Sequence, residues 1–305
     1  MRVSLFLFLF IYLANGFAQT RNGFNLSNAS IPVDQILPGG PPRNGIPSID
    51  QPVFYPGDMQ LDESTRVLGV IYNGIAKAYP IRIMNYHEIV NDDFDGKKAV
   101  ITYCPLCGSG IAFVSSINGK NYTFGVSGLL FNSDVLLFDR ETNSLWSQLL
   151  FKSVAGTQKG VEFEIIVTEN TTWGDWQNRY PASVFLSEET GHIRDYSRSP
   201  YGNYDTNQAI YFPVSKESDQ YQRKEKVLGI ILDGEKKVYP FSELQKSKGD
   251  IHDTFNKQNF TIIYNKESAS ARVIDQDGNE IPSITTFWFA WYAFHPDSKI
   301  FKARK

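Results

Sequence analysis

Val67-Leu-Gly-Val-Ile-Tyr-Asn-Gly-Ile-Ala-Lys-Ala-Tyr-Pro80 recurs as Val227-Leu-Gly-Ile-Ile-Leu-Asp-Gly-Glu-Lys-Lys-Val-Tyr-Pro240, at a constant offset of 160 residues and without a gap. In both copies an apolar, β-branched run leads into Asn73-Gly74 or Asp233-Gly234. These dipeptides favour a two-residue hairpin turn because both positions accept positive φ. Each copy is therefore expected to open with a β-hairpin that ends in Tyr-Pro. The match continues with gaps: His87-Glu-Ile-Val-Asn91 against His252-Asp-Thr-Phe-Asn256, then Ile101-Thr-Tyr103 against Ile262-Ile-Tyr264. After Pro80, Ile81 to Asn91 fits a short helix with Ile83, His87 and Val90 on one face. The expected fold is α+β and β-rich: two related β-hairpin/helix/strand units, about residues 66–104 and 226–265, inside one compact architecture.

Beyond the shared tyrosine the copies diverge, with Cys104 in the first and Asn265 in the second. Tyr103-Cys104-Pro-Leu-Cys107-Gly108 holds both cysteines of the chain. Lys98 to Tyr103 reads as a strand, and Gly108-Ser-Gly110 breaks the pattern, so the thiols belong to a tight turn at a strand end. Thiols so spaced support three chemistries. They can exchange a disulfide with a partner, which requires at least one thiol to be partly reachable from solvent. They can offer two sulfurs to copper or zinc, as a Cys-Pro-x-Cys-Gly knuckle does. They can also form a small structural disulfide.

Cys104-Pro-Leu-Cys-Gly, then Phe124-Gly-Val-Ser-Gly-Leu-Leu, Asn132-Ser-Asp and Ser144-Leu-Trp-Ser-Gln occur in the order that resembles the DUF3179 family. The resemblance runs from about Asn44 to the C-terminus. It implies no established activity. Some relatives are regarded as probable selenoproteins, which implies a redox thiol and points to Cys104 and Cys107 alone.

The first 18 residues have the pattern of a signal peptide: Arg2, an apolar run from Val3 to Leu13, and Gly16-Phe17-Ala18 as a small-x-small cleavage site. The run is short for a membrane span. The mature chain is therefore expected to be periplasmic or secreted, without a transmembrane anchor. In an oxidising compartment the thiol pair rests as a disulfide unless it is reduced or metallated. Residues 19–50, rich in Asn, Pro and Gly, read as an extended leader, and residues 51–305 as the family-like domain. The composition, 42% hydrophobic and 21% charged with a net charge of −3, has none of the basic excess that a nucleic-acid partner calls for.

Several residues are candidates to support the thiols. His87, laid back along the strand, could lower a thiol pKa or act as a third metal ligand beside Cys104 and Cys107. Its match to His252, in a copy without cysteines, favours a structural role. Ser127, Asn132, Trp146 and Gln148 could line a pocket beside the pair. Arg198 is the basic residue in a long aromatic loop, and loops of that kind often cover a site. The leading expectation is thiol/disulfide redox chemistry, with Cys104 as the attacking thiol and an unidentified protein or small-molecule disulfide as partner. The rivals are a copper or zinc site on the same cysteines and a binding protein with a structural disulfide.

Overall fold

The computed structural model describes residues 19–303; the proposed signal peptide lies outside them. The chain is mostly β, with 42% strand and 11% helix, in a five-bladed β-propeller arrangement. Each of the five main sheets has four or five strands. This corrects the α+β expectation. The helices are links of two turns or fewer, such as Ile81–His87 and Phe241–Leu244, while the mass of the fold is sheet. Periodicity overestimated the first helix. Glu88 adopts φ 57°, closing the last turn onto Met84 O, and Ile89–Phe94 is already a strand.

The duplication is larger than the sequence repeat. Arg66–Tyr72 pairs with Ile75–Pro80, and Lys226–Leu232 with Glu235–Pro240, in the same register (Leu68 opposite Tyr79, Leu228 opposite Tyr239). Each hairpin is followed by a helical link and an antiparallel meander: Ile89–Phe94, Lys97–Cys104 and Ser109–Val114 in the first copy; Ile251–Phe255, Gln258–Asn265 and Ser270–Asp275 in the second. Each hairpin sheet then gains a strand from far along the chain, Thr168–Thr172 or Ser283–Phe287. That strand runs straight into a short helix, Trp173–Arg179 or Trp288–Phe294.

These helices carry a second repeat that is legible only once the strands are aligned. Trp173-x-x-Trp176 and Ser183 stand where Trp288-x-x-Trp291 and Ser298 stand in the other copy. Trp176 Nε1 donates to Ser183 Oγ at 2.8 Å, and Trp291 Nε1 to Ser298 Oγ at 3.0 Å. Each indole packs against the glycine of its hairpin, Trp176 on Gly69 and Trp291 on Gly229, where a Cβ would collide with the ring. The Val-Leu-Gly of the sequence repeat is thus a seat for a tryptophan that arrives about 60–110 residues later.

An ion pair, buried in the first copy and half-buried in the second, also repeats. Lys77 lies 3.0 Å from Asp92, and Lys237 lies 2.6 Å from Asp253, with Tyr79 and Tyr239 donating to the same carboxylates. Asp92 and Asp253 are therefore equivalent, which shifts the alignment and places His252 opposite Asn91 rather than His87. His252 is an exposed strand residue bonded to Thr261. His87 and His252 are therefore not equivalent positions.

Between the copies' parts, Phe124–Phe131 and Asp134–Asp139 form a hairpin extended by Leu145–Ser147 and Lys152–Ala155. The strand Phe124–Phe131 is continuous through Gly128, with a bulge between Val126 and Leu129. Ile36–Pro38 adds an edge strand to this sheet, and Phe24, Leu26 and Ile36 are buried against it. Much of residues 187–225 is a long coil lying over the structure.

Gly69→Ala and Gly229→Ala are each expected to destabilise the fold by about 1–3 kcal/mol, the cost of an overpacked core position, and so to lower the unfolding midpoint. Thermal and urea unfolding of both variants checks this. An unchanged midpoint in either would show that the indole does not rest on that glycine.

Candidate functional site

The thiol turn is built on backbone that the other copy also uses. Cys104 and Ser109 are paired at the base of the first turn, as Asn265 and Ser270 are at the base of the second. Gly108 has φ 62° and its counterpart Ala269 has φ 43°. Cys104-Pro-Leu-Cys107 thus replaces Asn265-Lys-Glu-Ser268 on one backbone path, and side-chain chemistry is what distinguishes them.

The turn is clamped by the second copy. Cys107 O accepts from Phe287 N at 2.9 Å and from Thr286 Oγ1 at 2.8 Å, and the Phe287 ring fills the space above Gly108. From below, Gln148 ties the strand ends together, accepting from Ser109 Oγ at 2.6 Å and donating to Thr102 Oγ1 at 2.7 Å.

Opposite the thiols sits the turn Asn132-Ser133, whose two residues both have positive φ (51° and 64°). That is the requirement of a type I′ hairpin turn, met here by Asn and Ser. Ser133 O lies 3.4 Å from Cys107 Sγ and 3.7 Å from Cys104 Sγ, so it can accept from either thiol. The next residue, Asp134, brings its carboxylate to the sulfurs. One donor atom each from Cys104, Cys107 and Asp134 lies within 4.8 Å of the others, and all three residues are buried. Asp134 Oδ2 accepts from Leu149 N at 3.0 Å; Oδ1 has no partner.

Both cysteines are free thiols, exposed by 1% and 0%. The expectation of partly reachable thiols is therefore corrected: the covering coil closes the site. Tyr204, fully buried, joins the apolar cluster that contains both cysteines, and Lys224 Nζ lies 3.1 Å from the centre of its ring. Ser133 Oγ donates to Phe212 O at 2.6 Å, and Asn132 Oδ1 accepts from Ser215 N at 2.7 Å, so the same turn that faces the thiols anchors their cover.

Burial dominates the electrostatics. It raises the pKa of Cys104 and raises that of Cys107 further, and it pushes Asp134 up to about 8 and nearby Glu88 up to about 7.

The candidate residues divide accordingly. Cys104, Cys107, Asn132 and Gln148 converge on the site, Asn132 and Gln148 through positioning bonds. Ser127 holds the bulge, its Oγ accepting from Leu129 N at 3.0 Å. Trp146 is core: its Nε1 donates to Asp139 at 2.7 Å and its ring packs on Phe163. Arg198 is on the surface, 84% exposed, beside Asp195. His87 does not join the thiols. Its Nδ1 bonds Pro47 O at 2.8 Å and its Nε2 the Tyr196 hydroxyl at 2.6 Å, and burial lowers its pKa to about 4. The residue that sequence reasoning missed is Asp134. Its signal was the polar Asn-Ser-Asp break between two apolar strands.

A duplicated all-β fold with one buried dithiol–carboxylate cluster is the class these features define. The chain belongs to the family described as "Protein of unknown function (DUF3179)", whose model matches residues 43–298. No curated protein and no solved structure matches it.

The buried carboxyls predict the pH dependence of stability. Groups whose folded pKa is raised stabilise the fold fully below their unfolded pKa, near 4, and lose that contribution as pH rises through about 7 (Glu88) and 8 (Asp134). His87 and His295, both lowered to about 4, act oppositely but only below about 6.5. Between pH 6.5 and 8 the metal-free, reduced protein should therefore lose of the order of 2 kcal/mol, at about 1.4 kcal/mol per pH unit for each titrating group. Asp134→Asn should flatten the decline. Urea unfolding across that range checks this, and an identical slope in the variant would refute it.

Proposed function

We propose that this chain is an exported protein that holds zinc or copper(I) at Cys104, Cys107 and Asp134. What carries the reading is the convergence of three buried donors within 4.8 Å, one of them from the Asp134 carboxylate, which has an oxygen without a partner. An unpartnered buried carboxylate oxygen is costly, and a cation bound there would satisfy it. A cation would also favour the ionised forms that burial disfavours, because metal binding expels protons from thiols and carboxyls. Two sulfurs and an oxygen suit zinc, whereas copper(I) would rely on the sulfurs alone. The second copy, with Asn265 and Ser268 in place of the cysteines, would supply no such set. The choice of metal over exchange follows from access: buried thiols with raised pKa are poor nucleophiles. No helix among the described residues is long and apolar enough to cross a membrane.

One observation favours thiol exchange as a second reading. Asp134, raised to about 8 and within 4.8 Å of the Cys104 sulfur, is suited to take the Cys104 proton near neutral pH. In that reading a partner disulfide gains two electrons and two protons to become two thiols, while Cys104 and Cys107 lose them to form a disulfide. The covering coil would first have to move aside.

Elemental analysis of protein purified without chelator, with thiol titration before and after chelation, separates the two. About one equivalent of zinc or copper is expected, with thiols that titrate only once it is removed. Cys104→Ser should abolish stoichiometric binding, and Asp134→Asn should weaken it about 10–100-fold, the range seen for losses around metal sites. Affinity should rise with pH, by about tenfold per unit for each proton expelled. Metal-free protein that binds neither ion, with a reversibly reducible Cys104–Cys107 disulfide, would overturn the metal reading in favour of exchange.

A further inference from the structure

A cavity of about 530 Å³ borders the thiol turn, within the usual size range of small-molecule sites. Leu106, between the two cysteines, and Val135, next to Asp134, form part of its wall; Phe212 of the covering coil forms another part. Its lining is apolar and aromatic apart from a few polar groups. Of these, Glu88 is 7% exposed, and among the described residues its carboxylate has no cation beside it. Its one side-chain bond comes from the Tyr201 hydroxyl, at 2.9 Å. The backbone holds the residue from both sides: Glu88 N donates to Met84 O and Glu88 O accepts from Tyr103 N, both at 2.8 Å. The acid is therefore fixed in a left-handed conformation, φ 57°, which carries a steric cost for a residue with a Cβ.

A buried acid without a counter-charge destabilises the fold unless something pairs with it. Around it, Tyr86, Tyr201 and Tyr211 line the cavity, and aromatic rings attract an organic cation. The lining has one basic side chain, Arg194, which is exposed, so its charge is screened by water and salt. We propose that this cavity binds a small organic amine, with its ammonium group on the Glu88 carboxylate and its apolar body against Leu106, Val135 and Phe212. The proposal is independent of whether the neighbouring thiols hold a metal.

The test is calorimetric titration of the full chain, thiols reduced and metal chelated, at pH 8. The probes are 2-phenylethylamine, 2-phenylethanol and phenylacetate. The amine should bind saturably and at least tenfold more tightly than the alcohol, with phenylacetate weakest. Glu88→Gln should reduce the amine to the alcohol's affinity and leave the alcohol unchanged. Phe212→Ala, a change on the half-buried coil, should weaken amine and alcohol several-fold while preserving their ratio, so the assignment stays testable if the Glu88 variant does not fold. The proposal fails if amine and alcohol bind the wild type equally, or if phenylacetate binds best. It also fails if no probe saturates, if Glu88→Gln keeps the amine preference, or if Phe212→Ala alters nothing.

Discussion

The carbonyl of Cys107 accepts two hydrogen bonds from the other half of the molecule, one from Phe287 N and one from Thr286 Oγ1. Through that atom the second copy sets the shape of the turn that carries the thiols. Phe287 also caps Gly108, where any side chain would meet its ring. The site thus depends on docking between two repeats and not on the local propensity of Cys-Pro-Leu-Cys-Gly. Disturbing the strand Ser283–Phe287 would reach the sulfurs without touching either cysteine.

The copies illustrate how a duplicated scaffold comes to carry one site. Hairpin register, lysine–aspartate pair, tryptophan on glycine and the turn backbone are all held in common. What differs is the chemistry displayed at the turn and what lies opposite it. In the first copy the thiols meet Asp134, contributed by the inserted hairpin. In the second, Asn265 bonds Asp175, and the backbone of Ser268 receives Arg66. One turn became a donor cluster, and its twin became part of a polar contact between halves.

Burial is the common cause of the site's unusual electrostatics. It raises the thiols, Asp134 and Glu88 together, because removing water penalises every negative charge and none of these groups has a cation to offset the loss. The coil from residues 187–225 produces that burial and is itself tied down by Asn132 and Ser133. Access to the thiols and the position of Asp134 are consequently controlled by one two-residue turn.

The sequence by itself determined the hairpin pair, the thiol turn and the family, because these are local: Asn-Gly and Asp-Gly favour a two-residue turn, and a Cys pair three apart is visible without folding. It also led to errors of the same origin. Ile81 to Asn91 has helical spacing, but the pairing of Ile89–Phe94 with Lys97–Cys104 won that segment for a strand, since sheet hydrogen bonds are made with partners that periodicity does not see. His87 and His252 looked equivalent by spacing; the ion pairs of Asp92 and Asp253 showed otherwise. Only the tertiary structure decided that the fold is predominantly β, that Trp176 and Trp291 sit on Gly69 and Gly229, and that Asp134 rather than His87 stands beside the thiols. Each of those is a contact across tens of residues, set by how sheets pack, and no local pattern encodes which distant side chain will fill a given space.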